Sequence, residues 1–127
     1  MSRDASVTFT WGDGETTFAL RWGEIEKLQE ACDCGPYVLL DRLHSGTWRV
    51  QDIREVIRWG LIGGGMKPAD AARQIRLYVE GFPPADNLEA AQRIMRVGTF
   101  GAPEEPVGEP EAANPAESGS TISPTES

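Results

Sequence analysis

The segment "REVIRWGLIGGGM", Arg54 to Met66, decides how the rest of the chain is read. Ile57 and Leu61 continue an apolar spacing begun at Val50 and Ile53, with Val56 and Gly60 alongside. That is the period of a helix with one buried face. Three glycines, Gly63 to Gly65, then interrupt it. A glycine run of this kind either cradles a phosphate or ends a helix. A Walker A loop needs GxxxxGK[ST] between a strand and a helix. Here a helix leads in, and Lys67 is followed by Pro68, not by a Ser or Thr that could hold magnesium. A dinucleotide fingerprint needs GxGxxG after a strand, and "GGGMKP" has neither feature. The glycines therefore read as a helix stop that supplies left-handed or irregular backbone.

Upstream, "VTFTWGDGETTFAL" (residues 7–20) reads as a β-hairpin. Asp13-Gly14 is a favoured two-residue loop, because a type I′ turn needs positive φ at both central positions. That loop predicts Trp11 opposite Thr16, Phe9 opposite Phe18 and Val7 opposite Leu20. The large apolar side chains then share one face, and Thr8, Thr10 and Thr17 share the other. A lone hairpin is marginal in water, so its apolar face must lie on helices.

Those helices come in order. "WGEIEKLQEACD" carries Ile25, Leu28 and Cys32 on one stripe and closes near Asp33 to Gly35. "PYVLLDRLHSG" opens on Pro36 and stops at Ser45-Gly46. Its apolar set of Tyr37, Val38, Leu40 and Leu43 is too broad for one stripe, so the helix is buried or covers a neighbour. A third helix spans Arg49 to Ile62, although no Ser or Thr precedes Val50 as an N-cap. Its acidic residues lie in the first half and Arg58 in the second, which suits the macrodipole. "KPADAARQIRLYVEGF" places Pro68 at a first helical position, with Ala72, Ile75, Tyr78 or Val79, and Phe82 as its buried edge. "DNLE" suggests an N-cap at Asp86 with Glu89 three residues on. The last helix has Leu88, Ala91, Ile94 and Met95 inward and stops near Gly98. The fold class expected is α+β: an N-terminal hairpin packed on four to five short helices.

Charge divides the chain in two. Residues 101–127 carry six acidic groups and no basic ones; residues 1–100 carry 14 acidic and 12 basic, a net of −2. The expected organisation is a compact domain over 1–100 and a disordered Pro/Glu/Ala/Ser-rich tail over 101–127, serving as a solubilising segment or, second, as a docking peptide. The body has no clustered Lys and Arg to track phosphates, so nucleic acid is not an expected partner. A helix-turn-helix around the glycines ranks last among the readings, since three glycines and a proline make a poor turn for one. The start of the chain has no apolar signal segment and nothing in it reaches the length of a membrane span, so a cytoplasmic location is expected.

The chemistry-bearing residues are sparse. Cys32 and Cys34 ("CDC") with the one histidine, His44, do not complete a zinc site, and the pair reads as reduced thiols. His44 could be set beside Asp41 and Ser45, but triads assemble from distant segments, and a histidine at a helix end suits the macrodipole. No catalytic, metal or cofactor-binding residue is assigned, and no enzyme is expected. Trp11, Trp22, Trp48 and Trp59 are many tryptophans for so small a body. Trp59 lies beside the apolar stripe, and Ile62 and Met66 flank the glycine stop; partly exposed aromatic and Met side chains favour protein contacts.

The order of these segments, the hairpin, "WGEIEKLQE", "VQDIREVIRWGLIGGGM" and "PADAARQIRLYVE", resembles the small tail assembly chaperone family of gene transfer agents and related tailed phages. The resemblance covers about residues 5–100, most specifically Asp52 to Met66. It implies a non-enzymatic protein that binds the long, aggregation-prone tape measure protein while the tail tube assembles, then leaves. Some members of such families are described as tube proteins, so a structural tail component is the alternative it implies. Under the chaperone role, Trp59, Ile62 and Met66 are the expected partner-binding residues, lining or bordering a groove for an amphipathic helix. Trp59→Ala is then expected to weaken binding without unfolding the chain.

Overall fold

The computed structural model describes residues 5–102. The disorder expected over residues 101–127 lies, from residue 103 on, outside the described residues. Two antiparallel strands, β1 (Ser6–Trp11) and β2 (Gly14–Ala19), precede five helices: α1 (Trp22–Cys32), α2 (Pro36–Ser45), α3 (Val50–Gly63), α4 (Pro68–Tyr78) and α5 (Leu88–Phe100). A 3₁₀ turn, Pro84–Asn87, leads into α5. The α+β hairpin-on-helices architecture is the one the sequence implies.

The hairpin turns one residue earlier than expected. Its loop is Gly12-Asp13, and the pairs are Trp11 with Gly14, Phe9 with Thr16 and Val7 with Phe18. Gly12 takes φ +64, whereas Asp13 is not among the residues with positive φ. A loop with positive φ at its first position alone is the type II′ pattern. It places the one demanding conformation on glycine, whereas the expected I′ turn would have imposed it on Asp13 as well. The pairing shifts by two residues, so every side chain keeps its face. Phe18 and Trp11 are buried, Phe9 stacks on Phe18 with centroids 4.9 Å apart, and Thr8 and Thr17 join hydroxyls at 2.8 Å on the outer face.

Helix α3 is the centre of the domain, in contact with β2, α1, α4 and α5. Ile53, Val56, Ile57, Gly60 and Leu61 are buried along it, whereas Val50, counted in the stripe from sequence, is exposed. Its start needs no Ser or Thr: the buried Asp52 carboxylate accepts the Arg49 N–H at 2.8 Å. An acidic side chain at the third helical position satisfies an orphan donor as a capping-box residue does. In the same way Glu24 accepts the Arg21 N–H at the start of α1. On α2 the buried residues are Leu39, Leu40 and Leu43, whereas Tyr37 and Val38 stand exposed; the broad apolar set divides between core and surface. Ala71, not Ala72, is buried on α4. Phe82 is exposed, because the helix ends at Tyr78 and helical spacing no longer governs the residues beyond it. Helix α5 begins at Leu88, after the 3₁₀ turn that contains Asp86, and runs through Gly98 to Phe100.

The three glycines have separate functions. Gly63 is still helical, and Gly64 has ordinary helical φ of −78°. Only Gly65 has positive φ, +113°. The Met66 N–H reaches back to the Leu61 carbonyl and the Gly65 N–H to Ile62, both at 3.0 Å. This is a Schellman closure, in which the positive-φ position favours glycine. Gly63 and Gly64 are required by proximity instead: a Cβ on Gly63 would overlap the Ala19 carbonyl oxygen, and one on Gly64 the Thr17 carbonyl oxygen. The end of α3 therefore lies directly against the β2 backbone. The Gly64 and Gly65 amides are spent on helix carbonyls, so the run closes a helix in the way its sequence context implies.

Candidate partner-binding groove

An apolar trough of about 690 Å³ opens where the hairpin exit, the start of α1 and the last turn of α5 converge. Leu20 and Gly98 form part of its lining, with Ile25, Trp22, Pro36 and Phe100 around them and Arg21 and Glu26 as its charged members. Gly98 permits the convergence: a Cβ there would press into the Leu20 side chain at 2.7 Å. On α1, Leu28 and Cys32 face the core, while Trp22, Ile25 and Gln29 fall on the adjoining face and line the trough. Trp22 is 82% exposed and Phe100 52%. Tyr37 stands beside Phe100, edge to face at 6.4 Å. A smaller apolar dent of about 290 Å³, lined in part by Val50, Val79, Phe82 and Pro84, lies elsewhere on the surface.

Trp59, Ile62 and Met66 are each partly buried and packed against the core. Trp59 also carries the Arg58 guanidinium 4.9 Å from its ring. None of the three lines the trough over Leu20. Sequence reading missed Trp22 and Phe100 for that trough. A signal existed in Trp22, three residues before Ile25 on one helix, but the approach of α5 to that face is a tertiary fact. His44 is exposed at the end of α2, and its Nε2 lies 3.4 Å from the Arg96 guanidinium of α5. Ser45 bonds the Thr47 hydroxyl instead, at 3.1 Å.

The polar residues inside the domain tie its elements together. Asp52 is fully buried and is faced by Arg42 at 3.5 Å and Arg49 at 3.8 Å. Both guanidiniums also donate to the Cys32 carbonyl, at 3.3 and 2.6 Å, so the ends of α1 and α2 and the start of α3 share one network. Burial, then the Asp52 carboxylate beside it, pushes the Cys32 thiol up to about 12. Burial also raises Cys34. Both thiols are free, and Cys32 stays protonated at neutral pH. Asn87 is the other buried polar side chain among the described residues. It accepts from the Trp11 indole N–H at 2.8 Å and donates to the Tyr78 carbonyl at 2.9 Å.

Among the described residues no helix is long and apolar enough to cross a membrane. Fold and trough together define a small α+β domain with an open apolar seat on its surface. The chain belongs to the family described as phage tail tube protein, GTA-gp10, whose model matches residues 4–101. The resemblance read from sequence thus holds at the level of a phage-tail and gene-transfer-agent family. No curated protein and no solved structure matches the chain.

Proposed function

We propose that this chain is a tail assembly chaperone: it shelters an apolar helical segment of the tape measure protein in the Trp22/Phe100 trough while the tail is built, then leaves the particle. The observation that carries this reading is the exposure of two large aromatic side chains at the mouth of an apolar concavity. Covering a large apolar side chain is worth about 1.5–3 kcal/mol. A soluble domain that leaves two of them uncovered beside a trough retains that free energy for a partner. An amphipathic helix, with apolar anchors three and four residues apart, is a ligand of suitable shape.

Co-expression with the tape measure protein tests the reading. Trp22→Ala and Phe100→Ala should each reduce the recovered soluble complex, consistent with a loss of about 1–2 kcal/mol per aromatic anchor, and leave the free chain folded. Unchanged recovery in both variants would defeat it. The second reading, a structural tail component, is favoured by the family's own description as a tail tube protein. It requires the chain in purified particles, whereas the chaperone reading requires its loss from them, so a mass-spectrometric inventory of particles separates the two.

A further inference from the structure

We propose that the outer edge of β1 takes an extended segment of another protein as a third strand, with a basic side chain of that segment set against Asp86 and Glu89. The site shares no lining residue with the Trp22/Phe100 trough, so it goes beyond the reading above and does not rest on it. The first observation is the unequal treatment of the hairpin's two edges. A two-residue loop closes on a hydrogen-bonded pair, here Trp11 with Gly14, and alternation makes Phe9–Thr16 and Val7–Phe18 the next bonded pairs. The residues between them turn their backbone groups outward. On β2 these include Thr17 and Ala19, whose carbonyls meet Gly64 and Gly63 at the end of α3. On β1 they include Thr8 and Thr10, and among the described residues no backbone group outside the hairpin bonds to either. Such an edge is a template for pairing unless charge, proline or a bulge blunts it. The strand reads SVTFTW and pairs residue for residue with β2, so it has none of the three.

The second observation is a cleft of about 420 Å³ beside this edge. Phe9, Thr10 and Trp11 line it together with Asp86, Glu89 and Arg93. None of those three charged residues has an ion pair among the described residues. The Arg93 guanidinium lies 4.6 Å from the Phe9 ring centroid, and Asp86 also lines a dent with Trp11 and Gly12. Negative charge therefore lies towards the Trp11 end and positive charge towards Phe9. In a strand paired to β1, side chains opposite Phe9 and Trp11 share the face of those two rings, and the one opposite Thr10 takes the other face. A Lys opposite Trp11 then meets Asp86 and Glu89, and a Glu opposite Phe9 meets Arg93. In the antiparallel sense, the more stable per residue, the segment reads Lys-x-Glu. A second copy fits less well, because its β1 has no charged side chain to offer. In this mode main-chain bonds supply affinity and alternate side chains supply selectivity.

The probe is the capped hexapeptide Val-Lys-Thr-Glu-Thr-Val, titrated into the full ¹⁵N-labelled chain. The expected result is a saturable downfield shift of the Thr8 and Thr10 amide protons, with the Trp22 indole N–H unmoved. N-methylation of the peptide's first Thr, whose N–H faces Thr10, should abolish those shifts, and that loss cannot come from misfolding of the chain. Exchanging Lys and Glu in the peptide should weaken binding roughly three- to tenfold, and Glu89→Gln should reduce that preference. Unmoved Thr8 and Thr10 amides, or a shift of the Trp22 indole in their place, overturn the proposal. So do Thr8 and Thr10 shifts that vary with chain concentration in the absence of peptide, which assign the edge to a second copy. An N-methylated peptide that binds as well as the parent overturns the strand pairing, and equal binding of the exchanged peptide overturns the part given to Asp86 and Glu89.

Discussion

Alanine at Gly63 and at Gly23 should shift stability in opposite directions, although both glycines lie within helices. Helix propensity alone favours alanine over glycine by about 1 kcal/mol at an interior position. At Gly23, in the first turn of α1, an added Cβ meets nothing within 4 Å. Gly23→Ala should therefore stabilise by about 0.5–1 kcal/mol, mainly by restricting the unfolded chain. At Gly63 the same Cβ would overlap the Ala19 carbonyl oxygen, and the obstacle is strand backbone flanked by the buried Phe18 and Leu20. It cannot rotate aside as a side chain can. Forcing extra volume into a packed site costs about 1–3 kcal/mol, sometimes more, and a backbone obstacle belongs at the upper end. After the propensity gain is subtracted, Gly63→Ala should lose about 2 kcal/mol, or roughly 8–16 °C in Tm for a domain of this size. Thermal and urea melts followed by far-UV circular dichroism measure both variants against the parent. A Gly63→Ala chain that melts at or above the parent refutes the claim that the end of α3 lies directly against the β2 backbone.

The buried groups give three further outcomes. Asn87→Ala removes the acceptor of the Trp11 indole N–H and the donor to the Tyr78 carbonyl; urea unfolding should show a loss of about 2–4 kcal/mol, with up to ~3 kcal/mol for each group left unsatisfied. The Cys32 thiol, pushed up to about 12 in the fold, binds its proton more tightly there than in the unfolded chain. Its contribution to stability is therefore present below about pH 9 and is lost as pH rises through 9 towards 12; the urea midpoint should fall over that window, and less steeply in Cys32→Ala. Asp52→Asn removes the second cause of that shift, so Cys32 should titrate lower in the variant, read by the pH dependence of thiolate absorbance. Finally, Trp59→Ala should lower Tm more than Trp22→Ala does, because Trp59 packs against the core and Trp22 is 82% exposed; equal Tm values would place Trp59 at the surface.

Local chemistry makes much of this fold legible. The stripe of α3 and its closure at the glycines are encoded within one segment, and so are Pro36 and Pro68 as helix starts. The two faces of the hairpin come from alternation and survive a change of turn. The illegible features depend on distant neighbours or on equal local choices. The turn moves because Gly12 can take the single positive φ that a II′ loop needs, an alternative that "GDG" holds equally well by composition. The absence of a Ser or Thr before α3 conceals a start satisfied from inside the helix, by a buried Asp52 that is faced by Arg42 of α2 and by Arg49 at its own helix start. Sequence points to partner-binding residues beside the glycines, where aromatic and Met side chains cluster along the chain. The open trough instead joins Trp22 to Phe100, which no sequence window brings together.

Gly98 shows why that trough is hidden. In sequence a glycine near the end of a helical pattern reads as a stop. In the fold the helix continues for two more residues, and the missing Cβ is used for contact with Leu20. The same reason holds Gly63 and Gly64 against β2, so the β2 segment and its continuation through Leu20 are approached closely by glycines from two helices. The consequence at α5 is positional: with Leu20 seated on Gly98, the last turn of α5 and the start of α1 line one trough, which Phe100 and Trp22 share. Gly98→Ala should therefore act on the trough as well as on stability. It would push the last turn of α5 off Leu20 and lower partner recovery even though residue 98 presents no side chain to a partner. If Gly98→Ala keeps full binding while losing stability, the trough does not depend on that contact, and the seat for the partner must lie elsewhere on the domain.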